Sequence, residues 1–259
     1  MLARIAWNKN LSDEYFSMRL VLPEKINGYP GQFVMINLQK NYDPLLPRPF
    51  SISYCEGNKV DLIYEVKGKG TNIMSHMEKG EELIFTGPLG NRFSDVKDTK
   101  NLVFVAGGVG FPPILFYIKK LVENGFPRKN IYLFQGVKNS DALVVKEEIE
   151  NLRINYFVST DDGSYGYSGF ITDILSQEIN KIENPAKVYT VGPDLMMKKV
   201  VEIARDNGLN SEVSMETKMA CGIGACLGCI LKPVEKVFVK TGYLKTCKDG
   251  PVFPGEYFY

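Results

Sequence analysis

The rhythm of apolar and polar positions changes twice along this chain. Over the first hundred residues apolar positions come in short runs: EYFSMRLVL (14–22), QFVMINL (32–38), FSISYCE (50–56), KVDLIYEV (59–66) and EELIFTG (81–87). Each run is rich in β-branched or aromatic residues. NGYPG (27–31), DPLLPRP (43–49), EGN (56–58) and GPLGN (87–91) separate them. Short strands between Gly, Pro and Asn turns predict a small antiparallel barrel. One short helix near Thr71 to Met77 interrupts it.

Near Asp98–Asn101 the rhythm shifts. LVFVAG (102–107) is a continuous apolar run, as in a strand buried on both faces. IYLFQG (131–136), INYFVST (154–160) and KVYTVG (187–192) repeat it. Between them PILFYIKKLVENG (113–125), ITDILSQEINKI (171–182) and PDLMMKKVVEIARDNG (193–208) carry helical spacing, the last closed by Gly208. This alternation predicts a doubly wound parallel sheet. From residue 215 onward neither rhythm continues. The predicted class is therefore a two-domain α+β chain with an appendage. An antiparallel β-barrel domain spans 1–98, an α/β parallel-sheet nucleotide domain spans 99–214, and a small C-terminal segment spans 215–259.

Charge narrows the partners. Lys plus Arg is 31 and Asp plus Glu is 30, a net charge of +1, which argues against binding nucleic acid by bulk charge. MLARIAWNKN lacks the apolar run of a signal peptide, and no stretch approaches the ~20 apolar residues of a membrane span. A cytoplasmic protein with no membrane partner is the expectation, and there thiols stay reduced. Five cysteines in that setting do not predict a disulfide framework, and four of them clustered point to a metal. His76 is the single histidine, beside Lys and acidic neighbours, and reads as a solvated surface residue. No nucleophile–base set accompanies it, which argues against hydrolytic chemistry.

Cys221, Cys226, Cys229 and Cys247 are spaced C-x4-C-x2-C-x17-C. Structural zinc sites usually show two separated short-gap pairs. Three ligands on one loop with a distant fourth match the plant-type [2Fe–2S] arrangement instead. Gly222, Gly224 and Gly228 let the backbone wrap a cluster and aim N–H groups at sulfur. Zinc, or buried free thiols, is the alternative reading. The intervening ILKPVEKVFVKTGYLKT reads as a hairpin that returns the chain to Cys247. In FSISYCE, strand alternation predicts Ser51, Ser53 and Cys55 on one face and Phe50, Ile52 and Tyr54 on the other, with Cys55 a packing residue.

Three further stretches suggest phosphate. In R-P-F-S, Arg48 to Ser51, the guanidinium and hydroxyl can hold a phosphate while Pro49 fixes the backbone. G-K-G-T, Gly68 to Thr71, precedes the short helix and offers backbone N–H groups to an anion. Together they suggest a dinucleotide. V-A-G-G-V-G-F-P-P, 105–113, lies between a buried strand and a helix, where parallel sheets bind ligands. It is not the G-x-G-x-x-G fingerprint, and such a turn also serves plain strand-to-helix packing. Val191-Gly192-Pro193 repeats the scheme before a helix whose Met196 and Met197 read as core.

R-P-F-S, then G-T, then G-G-V-G-F-P-P, then G-P-D-L-M-M resembles the ferredoxin–NADP reductase superfamily over about residues 1–210. The tail M-A-C-G-I-G-A-C-L-G-C with T-C-K-D-G-P-V-F closely resembles the electron-transfer subunits of class 1B dihydroorotate dehydrogenase. The resemblance implies an FAD between barrel and nucleotide domain and a [2Fe–2S] cluster in the tail. It also implies NAD as final acceptor and an FMN-containing catalytic subunit as partner, in a heterotetramer of two of each. Electrons would pass from that FMN to the cluster, to FAD and to NAD, in pyrimidine biosynthesis. The flavin stands between because it handles both single electrons and hydride. Arg48, Pro49, Phe50 and Ser51 would hold FAD, with Ile63, Tyr64 and Glu65 beside it and Gly70 and Thr71 on its pyrophosphate. Cys221, Cys226, Cys229 and Cys247 would bind iron. Gly107, Gly108, Gly110 and Pro112, with Gly192 and Pro193 nearby, would form the NAD site. Val191 stands where many reductases of the superfamily have Cys. Thr160-Asp161-Asp162-Gly163 could disfavour a 2′-phosphate by charge, but its place is not legible. Two alternatives remain: a related NAD(P)-linked ferredoxin or sulfur reductase subunit, whose tails usually lack a cysteine at position 221, and a non-catalytic zinc-binding assembly module.

Overall fold

A computed structural model describes residues 1–38, 43–95, 101–183 and 185–259, with the side chains of 185 and 186 left aside. The predicted boundary at residue 98 lies outside the described residues.

Six strands close the barrel: β1 (Leu2–Asn10), β2 (Tyr15–Val21), β3 (Phe33–Asn37), β4 (Arg48–Glu56), β5 (Lys59–Glu65) and β6 (Glu82–Leu89). Their order is β1-β2-β5-β4-β3-β6, every pair antiparallel. Met18, Leu20, Val34, Ile36, Leu62 and Phe85 fill the interior. Helix α1 (Lys69–Ser75) follows β5 and plugs one end with Met74 and, just beyond it, Met77. Asn8 fixes that plug. Its Nδ2 donates to the carbonyls of Met74 (2.8 Å) and Met77 (3.0 Å), and its Oδ1 accepts from the Tyr64 hydroxyl at 3.0 Å.

The alternation predicted through FSISYCE does not survive. A register shift between Ile52 and Tyr54 opposite β5 places Ile52 and Cys55 together in the barrel core. A bulge of this kind inserts one unpaired residue and flips the faces beyond it. Cys55 is a packing residue there, and burial pushes its thiol up. His76 is exposed, its Nδ1 2.8 Å from the Asn72 carbonyl.

The second sheet runs β10-β9-β8-β7-β11-β12-β15. Its strands are β7 (Asn101–Gly107), β8 (Ile131–Val137), β9 (Asn155–Thr160), β10 (Tyr167–Ser168), β11 (Pro185–Val191), β12 (Asn210–Ser214) and β15 (Val252–Pro254). All pairs are parallel except β12–β15. Helices α2 (Pro112–Glu123), α3 (Lys146–Asn151), α4 (Ile171–Glu178) and α5 (Asp194–Asp206) connect them. One face packs Phe104, Leu133 and Tyr189 against α2 and Ile63 of the barrel, and the other packs Val103, Val105 and Phe134 against α4 and α5. Within this sheet Glu212 Oε1 accepts from Lys187 Nζ at 2.6 Å, and its Oε2 accepts from the Ser94 backbone N–H, beyond the barrel's last strand, at 3.0 Å.

The tail is tied to both domains. β15 extends the parallel sheet at its edge, and Asn91 brackets Val252 with two hydrogen bonds of 2.7 and 2.9 Å. Strands β13 (Ile230–Leu231) and β14 (Leu244–Lys245) pair antiparallel, as the hairpin reading predicted. No helix among the described residues is long and apolar enough to cross a membrane.

Candidate functional site

The strand order reverses between β7 and β11. In a doubly wound sheet that is where a crevice opens at the carboxyl ends of the strands. A cleft of about 910 Å³ lies there. Gly107, Gly108 and Gly110 from the turn after β7 line it, as do Gly192 and Pro193 from the turn after β11. The two turns also pack on each other. A Cβ on Gly107 would lie 2.5 Å from Met196 Sδ and 2.7 Å from Pro193 Cδ, and one on Gly110 would lie 2.9 Å from the Val191 carbonyl. These glycines therefore serve close backbone approach between neighbouring turns as well as an open cleft floor. Pro112, by contrast, opens α2 beneath the surface and does not line the cleft, and Val191 is buried. Both methionines line the cleft, Met197 as a buried core residue and Met196 half-buried against the same core.

From the barrel, Tyr15, Glu65 and Lys67 form the near wall. Glu65 pairs with Lys67 at 2.9 Å. Of the three β5 residues singled out in sequence, only Glu65 reaches the cleft by its side chain. Ile63 is packed into the nucleotide domain and Tyr64 into the barrel, so a ligand on this strand would meet their backbone. Residues that sequence reasoning missed include Lys138, Phe170, Thr172, Met215 and Glu216; of the stretch 160–163, whose place the sequence left open, Asp161 lines the cleft as well. Glu216 stands in the mouth of the cleft, reachable by solvent yet hemmed in by protein, and desolvation raises its carboxyl. Its only local signal is an acidic residue between a short strand and the cysteine loop.

The second group lies outside that lining. A Cβ on Gly70 would fall 2.6 Å from Arg48 Nε, so the missing side chain is what lets the guanidinium lie across the start of α1. Arg48 also donates to the Leu46 carbonyl. R-P-F-S and G-K-G-T thus converge, as a shared anion would require. The Thr71 hydroxyl is already engaged by the backbone N–H groups of Lys67 (3.0 Å) and Gly68 (3.2 Å). Phe50 sits edge-on to Tyr64, centroids 5.9 Å apart. The pieces that could hold a flavin dinucleotide are therefore the half-buried start of β4, its arginine and a glycine-opened helix start.

The four cysteines of the tail fall into two pairs. Cys229 and Cys247 are buried with sulfurs 3.1 Å apart, against Phe33, Met35 and Leu89 of the barrel. The Thr246 hydroxyl and backbone N–H both donate to the Cys229 carbonyl at 3.0 Å and fix that pair. The Cys226 backbone N–H points at Cys221 Sγ from 3.4 Å, and that of Gly228 at Cys226 Sγ from 3.5 Å. Backbone N–H groups, Cys226 first and then Ile223, pull the Cys221 thiol down to about 6. Burial, then the neighbouring Cys229, pushes Cys247 up to about 12. Gly222 makes the seat possible: its φ is +71°, and a Cβ there would overlap Met35 Cγ. Among the described residues no three His, Cys, Asp or Glu side chains are grouped to hold one metal ion. Two thiol pairs under backbone N–H donors fit a two-iron cluster held by four thiolates better than a single zinc.

Comparison with known proteins follows the same division. A family model described as the iron–sulfur cluster binding domain of dihydroorotate dehydrogenase B matches residues 216–258. One described as an oxidoreductase NAD-binding domain matches 104–202. The chain is 37% identical over 257 residues to the dihydroorotate dehydrogenase B (NAD(+)) electron transfer subunit of Caldanaerobacter subterraneus subsp. tengcongensis, covering 99% of this chain and 97% of that one. It is 39% identical to the Clostridium perfringens subunit of the same name, covering 97% and 95%. Among solved structures, a chain of NADH-dependent reduced ferredoxin-NADP oxidoreductase, described for flavin-based electron bifurcation, superposes with TM-score 0.84 at 27% identity. That match covers 99% of this chain and 89% of the other. A ferredoxin NADP+ reductase from Neisseria gonorrhoeae, solved with FAD and NADP, shares the fold at TM-score 0.67 and 15% identity, covering 83% and 98%.

Proposed function

Because the chain belongs to the family of dihydroorotate dehydrogenase B electron-transfer subunits, we propose that it links a catalytic partner subunit to NAD through a [2Fe–2S] cluster and FAD. When bound, FAD exchanges single electrons with the cluster and hydride with NAD, which neither of the other two carriers can do for both. The observation that carries the reading is the seating of Cys229 and Cys247, sulfurs 3.1 Å apart, against Phe33, Met35 and Leu89 of the barrel, in the same chain that carries the nucleotide cleft.

The residues divide the work. Arg48, Ser51, Gly70 and Thr71, with Pro49 and Phe50, grip FAD along the barrel, and Ile63, Tyr64 and Glu65 border it. Gly107, Gly108, Gly110, Gly192 and Pro193 receive NAD, and Pro112 supports that turn from beneath. Cys221, Cys226, Cys229 and Cys247 hold iron, with backbone N–H groups offsetting the negative charge of the sulfurs. Side-chain acid–base chemistry has no part; position and potential do. The division at residues 98 and 214 belongs to this reading, as does a cytoplasmic complex of two such chains with two FMN-containing catalytic subunits.

Cys226 is exposed among Ile223, Leu227 and Ile230, three apolar side chains that face solvent. That rim is the docking face for the catalytic subunit, since one-electron transfer needs close approach. Cys226→Ser should leave bound FAD and its reduction by NADH in place and stop electron exchange with the partner. Wild-type exchange in that variant, measured by anaerobic stopped-flow, would refute the order of carriers.

A further inference from the structure

The docking rim around Cys226 is small, and the chain leads from it into a segment that the carriers do not use. Ile230 opens β13 and stands opposite Lys245 of β14. Between those two short strands the chain makes an excursion through residues 232–243. It is fastened near its start: the Val234 N–H donates to the Tyr257 carbonyl at 2.8 Å, and the Val237 N–H donates to the Val234 carbonyl at 2.9 Å. Beyond that point burial alternates. Val237 and Val239 are half-buried, whereas Lys236, Phe238 and Lys240 are exposed. Phe238 leaves 92% of its surface to solvent, more than any other large apolar side chain among the described residues.

A single exposed apolar residue is ordinary on a protein surface. The charge around this one is not. Residues 217–249 carry six lysines against the two carboxylates of Glu235 and Asp249, a net +4 in a chain whose total is +1, so the rest of the molecule carries −3. Asp249 is already committed, accepting from the Lys245 backbone N–H at 2.7 Å. None of the six lysines is in an ion pair among the described residues. Lys248 lies along the cysteine loop, where a Cβ on Gly224 would be 3.1 Å from its Cδ. Lysines thus interleave with exposed apolar side chains along the chain from Ile223 to Phe238. Apolar anchors inside a charged fringe are the anatomy of a protein–protein interface, and unpaired cations of one sign call for an acidic partner.

Resting on the proposed function, we propose that Phe238 anchors the catalytic partner subunit by entering an apolar socket on it, edged by carboxylates that face Lys236 and Lys240. An aromatic side chain that fills a pocket and excludes water carries a large share of an interface's affinity. Charges at the edge of the contact instead set how fast and how selectively the two surfaces meet. The division suits a one-electron port. The affinity comes from the excursion between β13 and β14, so the loop over Cys226 is left to bring the cluster close to its acceptor.

The test uses the FAD- and cluster-loaded protein and the FMN-containing catalytic subunit. Association and dissociation are followed by biolayer interferometry at low and high salt for wild type, Phe238→Ser, and Lys236→Glu combined with Lys240→Glu. Bleaching of flavin and cluster by NADH in the chain alone shows that each variant is intact, as the exposure of all three side chains leads one to expect. Phe238→Ser should weaken the complex at least about tenfold, carried by faster dissociation. The charge variant should slow association at least about tenfold at low salt and flatten its salt dependence. Wild-type affinity in Phe238→Ser overturns the anchor, and an unaltered salt dependence in the charge variant overturns the acidic socket edge. The same proteins are run against phosphatidylserine vesicles and in sedimentation for self-association. Phe238→Ser that loses vesicle binding or a homodimer but keeps the catalytic subunit assigns the surface to lipid or to a second copy and overturns the proposal. Wild type that binds no catalytic subunit overturns the proposed function itself, a separate outcome.

Discussion

Replacing Gly222 with alanine should loosen the cysteine loop from the barrel. Two effects add. At φ +71° a non-glycine residue costs about 1–2 kcal/mol of backbone strain. The new methyl would also overlap Met35 Cγ and stand 2.9 Å from its Sδ and 3.3 Å from Leu89 Cδ1. Met35 is only 2% exposed and cannot swing away, so overpacking adds about 1–3 kcal/mol. The sum, roughly 2–5 kcal/mol, is comparable to the stability of a small structural unit. Met35→Ala separates the two. In the double variant the methyl enters the space that Met35 leaves, so Gly222→Ala should then cost only the backbone share, about 1–2 kcal/mol. Urea unfolding by circular dichroism gives the energies, and loss of visible absorption to an iron chelator reports the loop. Wild-type stability and cluster retention in Gly222→Ala would refute the packing account. Additive energies in the double variant would refute the assignment of the clash to Met35.

Two other perturbations probe the scaffold. Gly70→Ala should push the Arg48 guanidinium off the start of α1 and weaken FAD retention as Arg48→Ala does, by about tenfold, measured by flavin release on dilution. Glu212→Ala removes the acceptor of both Lys187 and the Ser94 backbone, side chain only 13% exposed, and should cost about 2–4 kcal/mol in urea unfolding, with Lys187→Met in the same background restoring part of it.

What was legible followed from periodicity and spacing. The five runs read as strands in the first hundred residues are β2 to β6, and the four buried runs are β7, β8, β9 and β11. Elements with little pattern of their own escaped. In β1 only Ala3 and Ile5 are buried, yet it closes the barrel between β2 and β6. Helix α3 buries Ile149 alone, too little for a visible helical stripe, and β12, N-S-E-V-S, is a strand because β11 and β15 flank it. Such segments take their conformation from neighbours, which no local window contains.

The site divides along the same line. Four thiols at C-x4-C-x2-C-x17-C and glycines before α1, α2 and α5 are local statements, since covalent spacing and backbone freedom are properties of the chain itself. The sequence by itself thus determined the thiol spacing, the glycine turns and the order of the strongly patterned elements, and its family resemblance implied the carriers. Only the tertiary structure decided which side chains face them. It turned Ile63 and Tyr64 inward and left Glu65 in the cleft, slipped β4 by a bulge, and set Glu216 at the mouth of the cleft. It also set Asp161 in the cleft lining while committing Asp162 to its loop. Which of two adjacent carboxylates meets a ligand depends on hydrogen bonds from residues elsewhere in the fold, and those distances exist only once the chain has packed.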